Sequence, residues 1–225
     1  MKVLCTNGMK SVLVDLLPEF ERSTGNKVAI TWGSANALMK ELEEGAGGDL
    51  VVLTTQAVDE LIARGKAVAQ SRVDLARSGI GIAVRKSARK PDIGSPDALK
   101  HALMAAKSVA HSKTGTSGIY FLTVLARLGI AEAMQGKIVI PDAGTPVGEV
   151  VASGAAELGV QQLSELLPVA GVEVVGPLPE PLQKITTFTA AVLAGAKEPD
   201  AAKSLLEFIA ARARPLLASK GLEPA

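Results

Sequence analysis

Apolar positions along the chain alternate between short continuous runs and helical stripes, which predicts strands and helices in turn. Lys2 to Cys5 reads as a short apolar strand, and Lys10 to Thr24 carries a stripe of Leu13, Leu16, Leu17 and Phe20 at helical spacing. Pro18 falls inside that stripe and predicts a kink or an early stop. Gly25-Asn26 ends the helix with residues that tolerate a left-handed cap. A second strand follows over Lys27 to Trp32, a helix over Ser34 to Glu44, a strand over Asp49 to Leu53 and a helix from Gln56 to Arg64, closed by Gly65. Strand and helix in repeated alternation, with short connections, imply a parallel sheet with right-handed crossovers.

The middle of the chain opens with a glycine-bearing strand from Ser78 to Val84 and a turn at Lys90-Pro91-Asp92. Next come helix Pro96 to Ala106, strand Ser108 to His111, helix Ser117 to Leu128, strand Lys137 to Ile140, helix Val147 to Ser153 and strand Leu158 to Gln161. Gly176-Pro177-Leu178-Pro179-Glu180-Pro181 is stiff and breaks both periodicities. Thr186 to Leu193 then reads as a strand and Pro199 to Ala211 as an amphipathic helix.

Composition narrows the classes this fold could serve. With 24 Lys and Arg against 23 Asp and Glu, the formal charge is only +1, and aromatics are 3%. Phosphate neutralisation needs clustered basic residues and base stacking needs aromatics, so nucleic acid is not an expected partner. One cysteine, Cys5, excludes an intrachain disulfide and reads as a small core residue. Two histidines and that cysteine cannot build a zinc site of the usual nitrogen and sulfur kind, so neither a metal nor a cofactor is expected. No apolar run is long enough to span a bilayer, so membrane insertion is not expected. The first residues run straight into a strand without a leader pattern. A native start there would make the protein cytoplasmic, and a removed signal peptide would make it periplasmic.

In an open parallel sheet, ligands bind beyond the carboxyl ends of the strands, where helix N-termini offer unpaired amides to anions. Six loops occupy such places: Thr6-Asn7-Gly8-Met9, Gly33-Ser34-Ala35-Asn36, Thr54-Thr55-Gln56, His111 to Gly118, Gly144-Thr145-Pro146 and Gln161-Gln162. They are rich in glycine, hydroxyl and amide residues, which let backbone approach a ligand and donate to its oxygens. Any one of them also reads as an ordinary helix cap. Candidate ligand-binding residues are Asn7, Gly8, Ser34, Ala35, Asn36, Thr54, Ser112, Thr116, Ser117, Gln161 and Gln162. The segment His111 to Gly118 lacks the glycine-lysine phosphate-loop pattern, so nucleotide hydrolysis is not expected. His111 is the candidate general base, with a backbone-capping histidine as the alternative. One of Gln161 and Gln162 should face a pocket and the other the sheet or solvent. Glu149 and Glu165 are the acids near these loops.

At Glu44-Gly45-Ala46-Gly47-Gly48-Asp49-Leu50, Ser117-Gly118-Ile119-Tyr120 and Leu158-Gly159-Val160 the chain resembles the periplasmic molybdate-binding protein family. The resemblance implies an α/β fold of the two-lobed solute-binding type, each lobe a mainly parallel sheet flanked by helices. Lobe I would be 1–78 plus 187–225 and lobe II 79–186, with a small anion or carboxylate in the cleft and an ABC transporter permease as partner. Members of that family place serine hydroxyls in the first two loops and a tyrosine after the Leu158 strand. The matching positions here are Gly8, Ala35 and Gln162. The C-terminal half, with Gln161 to Leu167 and Gly176 to Pro179, is similar to a divergent branch that includes aconitate-isomerase-like proteins. That likeness implies a di- or tricarboxylate ligand and a 1,3 proton shift with His111 as base. Three readings stand: a receptor for an anion or carboxylate, a cofactor-free isomerase, and a molybdate or tungstate receptor.

Overall fold

In the computed structural model, residues 1–142 and 144–225 are described. They form two compact units, Met1–Ser78 with Thr186–Ala225, and Gly79–Ile185. The first unit begins with β1 (Lys2–Thr6), α1 (Lys10–Thr24), β2 (Ala29–Gly33), α2 (Ala35–Glu43), β3 (Leu50–Thr54), α3 (Thr55–Ala63) and β4 (Val73–Ser78). The second contains β5 (Ile80–Arg85), α4 (Pro96–Ala105), β6 (Val109–His111), α5 (Thr116–Arg127), α6 (Ala131–Met134), β7 (Ile138–Val139), α7 (Val147–Ala152), β8 (Leu158–Gln162), α8 (Leu163–Leu166) and β9 (Val172–Pro177). The chain then returns to complete the first unit with β10 (Thr186–Val192), α9 (Pro199–Arg212), α10 (Arg214–Leu217) and β11 (Glu223–Pro224).

Each sheet is mixed. The first runs β11-β4-β10-β3-β1-β2 and the second β7-β6-β8-β5-β9. Pairs β1–β2, β1–β3, β6–β7 and β6–β8 are parallel, as repeated strand–helix–strand order requires. The antiparallel pairs all involve strands next to the two passages between units, β4, β5 and β10, as in β10–β3, β10–β4 and β5–β8. A strand that returns after a long excursion can enter in either sense, and β10 runs antiparallel to both of its neighbours.

In unit 1, Val3, Cys5, Val52, Phe188 and Ala190 face α1 and α9 in one core, while Leu4, Val51, Leu53 and Ala191 face α2 and α3 in another. Alternation along strands buried on both faces explains their near-continuous apolar runs. Cys5 is fully buried in the first core, and burial pushes its thiol well up. In unit 2, Ile80, Ile82, Val109, Val160 and Phe121 pack on the α4–α5 side, and Ala110, Val147 and Val151 on the α7 side.

Three expectations differ from what forms. Helix α1 runs unbroken through Pro18 to Thr24, where Gly25 caps it at φ 74°. Val14 and Pro18 both lie on the exposed face, so the carbonyl that loses its partner is open to water. The stretch around Ser78 holds two strands, β4 and β5, that meet at Gly79. Gly176-Pro177 ends a true strand, β9, which tolerates proline because it lies at the sheet edge and pairs with β5 across an irregularity at Ile82/Ala83.

Asp49 ties the start of β1 to the start of α9. Its carboxylate accepts from the amides of Lys2 at 2.6 Å, Lys197 at 2.7 Å and Glu198 at 2.9 Å while only 5% exposed. Burial alone would raise its pKa, but these amides outweigh burial and hold it below the ordinary value. The stability it contributes is therefore present above the ordinary carboxylate range and lost as pH falls through the depressed value. We expect Asp49→Ala to cost about 3 kcal/mol, read by urea unfolding at neutral pH. The variant should also lose part of the wild-type decline in stability at acid pH.

Candidate functional site

Parallel register brings the loops of unit 1 together. Thr6 pairs with Gly33 at the ends of β1 and β2, so Asn7 and Ser34 start adjacent loops. Thr54, at the end of β3, is two strands from Ser34 across β1. Asn7, Gly8, Ser34, Ala35, Asn36 and Thr54 thus share one edge. Two of their hydroxyls serve as helix caps: Ser34 Oγ accepts from the Ala37 amide at 3.2 Å and Thr54 Oγ1 from the Ala57 amide at 3.4 Å. Ala35 is buried as the first residue of α2, and Asn36 is exposed.

Gly8 has a specific steric cause. A Cβ there would stand 2.3 Å from Cζ of Phe188, whose ring is 2% exposed. Phe188 lies on β10 opposite Thr54 of β3 and Ala76 of β4, so its ring reaches from the central strand to the turn after β1. Position 8 cannot carry a side chain while that ring is in place. Beside it, Thr189 is fully buried at a register shift in β10 and donates to Asp74 Oδ1 at 2.5 Å. The carboxylate only accepts, so Thr55 is the donor in its 2.8 Å contact with the Thr189 hydroxyl. Arg72 holds Asp74 at 3.2 Å. This chain fixes the start of α3 to the central strand. Phe188, Thr189 and Asp74 escaped the sequence reading, although Thr186-Thr187-Phe188-Thr189 was a visible signal: three threonines in a strand otherwise apolar to Val192.

In unit 2, His111 pairs with Val160, Val160 with Ile82, and Gln162 with Ile80. Partners directly across a sheet share a face. His111 and Gln162 therefore project on the α5 side, and the His111 ring meets Phe121 edge-on at 5.5 Å and 61°. Gln161 alternates to the other face, that of Gly159, which packs against Val147 and Val151 of α7. Neither glutamine faces solvent: both are buried, at 5% and 3% exposure.

His111 is itself only 3% exposed. Its Nδ1 lies 3.0 Å from the Ser112 carbonyl, which can only accept, so Nδ1 carries the hydrogen. Nε2 is then a bare acceptor, buried and without a hydrogen-bond partner among the described residues. Burial lowers the imidazole pKa, with the Ser112 carbonyl opposing in part, so the ring is neutral at pH 7.

The loop after His111 is a tight coil. Ser112 Oγ accepts from the Gly115 amide at 2.7 Å, and a Cβ on Gly118 would meet the Ser112 carbonyl oxygen at 1.8 Å. Thr116 and Ser117 open α5 directly over this coil. Of the sequence candidates, His111, Ser112, Thr116, Ser117, Gln161 and Gln162 thus gather at one edge of unit 2, on two faces.

Glu165 completes the second face. Gln161 Nε2 donates to Glu165 Oε2 at 2.7 Å, and Gln161 Oε1 is buried with no hydrogen-bond partner among the described residues. The Glu165 side chain is half-buried, and desolvation of its carboxyl raises it from 4.5 to about 7, with the Gln161 amide offsetting a little. Glu149 is exposed on α7 and shows no comparable enclosure. Among the described residues no group of three or more His, Cys, Asp or Glu could hold a metal ion. No helix among them is long and apolar enough to cross a membrane.

Loops of small donors at strand ends, on a fold of two mixed α/β units, define the chain's class. A family model for bacterial extracellular solute-binding proteins matches residues 1–223, and the chain belongs to that family. It is similar to an aconitate isomerase of a Pseudomonas species, 37% identical across 100% of this chain and 87% of that one. It is also 30% identical to the molybdate-binding protein of Azotobacter vinelandii, over 87% of this chain and 78% of that one. A solved structure of a periplasmic molybdate-binding protein from the same organism superposes with a TM-score of 0.83 at 20% identity, covering 100% of this chain and 99% of that one.

Two outcomes follow from this geometry. Gly118→Ala should cost at least about 2 kcal/mol in chemical unfolding, because the neighbour that must yield is backbone. Glu165 has a folded pKa above its unfolded one, so its favourable contribution is complete below pH 4.5 and disappears as pH rises through about 7. Wild type should therefore lose about 3 kcal/mol relative to Glu165→Gln between pH 4.5 and 8.5, measured as the difference of two urea-stability profiles.

Proposed function

We propose that the chain binds a small polycarboxylate at these loops and isomerises it, with aconitate as the substrate. The observation that carries this reading is the 37% identity to an aconitate isomerase over the whole chain. Gly8 under Phe188, and Ala35 buried at the start of α2, agree with it. Both positions lack the side-chain hydroxyls that would donate to a tetrahedral oxyanion. Within unit 2, Thr116, Ser117 and Gln162 would hold carboxylates beside His111, and Asn7, Ser34 and Asn36 are the candidate donors of unit 1. His111 would take a proton from the methylene carbon beside the double bond and return it to the far alkene carbon as the double bond shifts. A neutral imidazole with a fixed Nδ1–H and an acceptor Nε2 has the protonation state such a base requires.

A second reading keeps the pocket but drops the chemistry: a receptor that delivers an anion or carboxylate to an ABC transporter permease. The match to an extracellular solute-binding family favours it. The two separate in one pair of measurements. A thermal-shift screen against molybdate, tungstate, sulfate, citrate, and cis- and trans-aconitate reports binding. A ligand at one hundred times its dissociation constant stabilises by about 2.7 kcal/mol. We expect shifts with citrate and the aconitates, and interconversion of cis- and trans-aconitate followed by proton NMR. Binding without interconversion selects the receptor, and a shift with molybdate or tungstate alone overturns the carboxylate reading. His111→Ala should lower turnover at least about 100-fold while citrate binding largely survives. Equal loss of both would remove His111 from the role of base.

A further inference from the structure

One oxygen decides which nitrogen of His111 carries the hydrogen, and that oxygen stands where only a glycine leaves room. The Ser112 carbonyl accepts from Nδ1 at 3.0 Å. A Cβ on Gly118 would lie 1.8 Å from the same oxygen, 2.8 Å from the carbonyl carbon and 3.0 Å from the Ser112 nitrogen. All three atoms are backbone, so no rotamer change relieves the overlap. A side chain at 118 must push the Ser112 peptide away from α5.

The surroundings of His111 come from the same helix face. Gly118 and Phe121 are three residues apart on α5 and both are buried, so they share its inward side. Phe121 meets the imidazole edge-on at 5.5 Å, bracing the ring whose hydrogen the carbonyl holds. The side chain of Ser112 is held separately. Its Oγ accepts from the Gly115 amide at 2.7 Å, and a Cβ on Gly115 would meet Oγ at 2.3 Å. Oγ ends a rotatable side chain, so crowding there is relieved without moving the carbonyl. Position 118 therefore acts on the carbonyl, and position 115 on the hydroxyl.

We infer that Gly118 is a positioning residue for His111: by admitting the Ser112 carbonyl against α5, it keeps the hydrogen on Nδ1 and leaves Nε2 as the acceptor. Without that carbonyl nothing holds the hydrogen on Nδ1, and the form with the hydrogen on Nε2 becomes available. In that form Nε2 has no lone pair for a substrate proton. A residue with no side chain of its own thus decides which ring nitrogen is basic.

The inference rests on His111 as the base of the isomerase reading, and the test separates the two. Long-range proton–nitrogen NMR correlation in nitrogen-15-labelled, ligand-free protein distinguishes a protonated ring nitrogen from a bare one. The chain has two histidines, and His111→Ala identifies the signals of His111 by their loss. Wild type should show the hydrogen on Nδ1 and a bare Nε2. Gly118→Ala should move the hydrogen to Nε2, wholly or in part, and lower kcat for aconitate interconversion at least about tenfold. Gly115→Ala and Ser112→Ala should keep the wild-type pattern, because both leave the carbonyl in place. A hydrogen on Nε2 in wild type overturns the inference, and so does an unchanged pattern in folded Gly118→Ala. If Gly118→Ala does not fold, Ser112→Ala decides. A hydrogen kept on Nδ1 there supports the hold from α5, and one moved to Nε2 assigns the hold to the hydroxyl and overturns the inference. No aconitate turnover in wild type, with these patterns as expected, overturns the isomerase reading and leaves the assignment of Gly118 supported.

Discussion

Unit 1 depends on one antiparallel insertion. Strand β10 arrives after the whole of unit 2 and seats between β3 and β4, so the central strand of the sheet comes from the far end of the chain. Until it is in place, β3 has an open edge, and Leu50, Val52 and Leu53 lack their cross-strand partners Val192, Ala190 and Thr189. Such a long loop closure is slow relative to local contacts, so the seating of β10 is the expected late step in assembly. Once seated, β10 buries nearly every side chain it carries.

That same strand shapes the edge where unit 1 offers its loops. Phe188 fills the space beside Gly8, and Thr189, at the register shift, anchors Thr55 and Asp74. A packing decision in the core thereby fixes the chemistry of this loop edge: no side chain at position 8, and the start of α3 held to the central strand. Unit 2 uses a different device. Its coil after β6 is drawn so tight that Gly118 touches the Ser112 carbonyl, which places Thr116 and Ser117 over the end of the strand that carries His111.

The glutamine pair shows how alternation along one strand divides labour. Gln162 shares a face with His111 under α5, while Gln161 turns to α7 and Glu165. The two adjacent amides therefore belong to different chemistry: one lies beside a neutral imidazole, the other is bound to a carboxyl whose proton is poised near neutrality. A solute-binding scaffold can host different chemistry through its loop-proximal residues without altering its sheets.

Much of this was legible in the sequence because it is local. Hydrophobic periodicity placed β1 to β3, α1 to α5 and α9, and the small-residue loops marked the strand ends where donors gather. Ser34 and Thr54 were readable as caps, and both act as caps. What required tertiary structure is set by partners distant in sequence. Whether Pro18 stops a helix depends on which face meets water, and whether Gly176-Pro177 can end a strand depends on that strand lying at an edge. Phe188 and Gly8 are far apart in the chain, and no pattern in either neighbourhood announces their contact. Burial, which decides that His111 is neutral and that Glu165 titrates near 7, belongs to the packed units alone. Sequence determines the elements and the types of group at their ends; the fold decides which faces those groups share and how strongly they hold their protons.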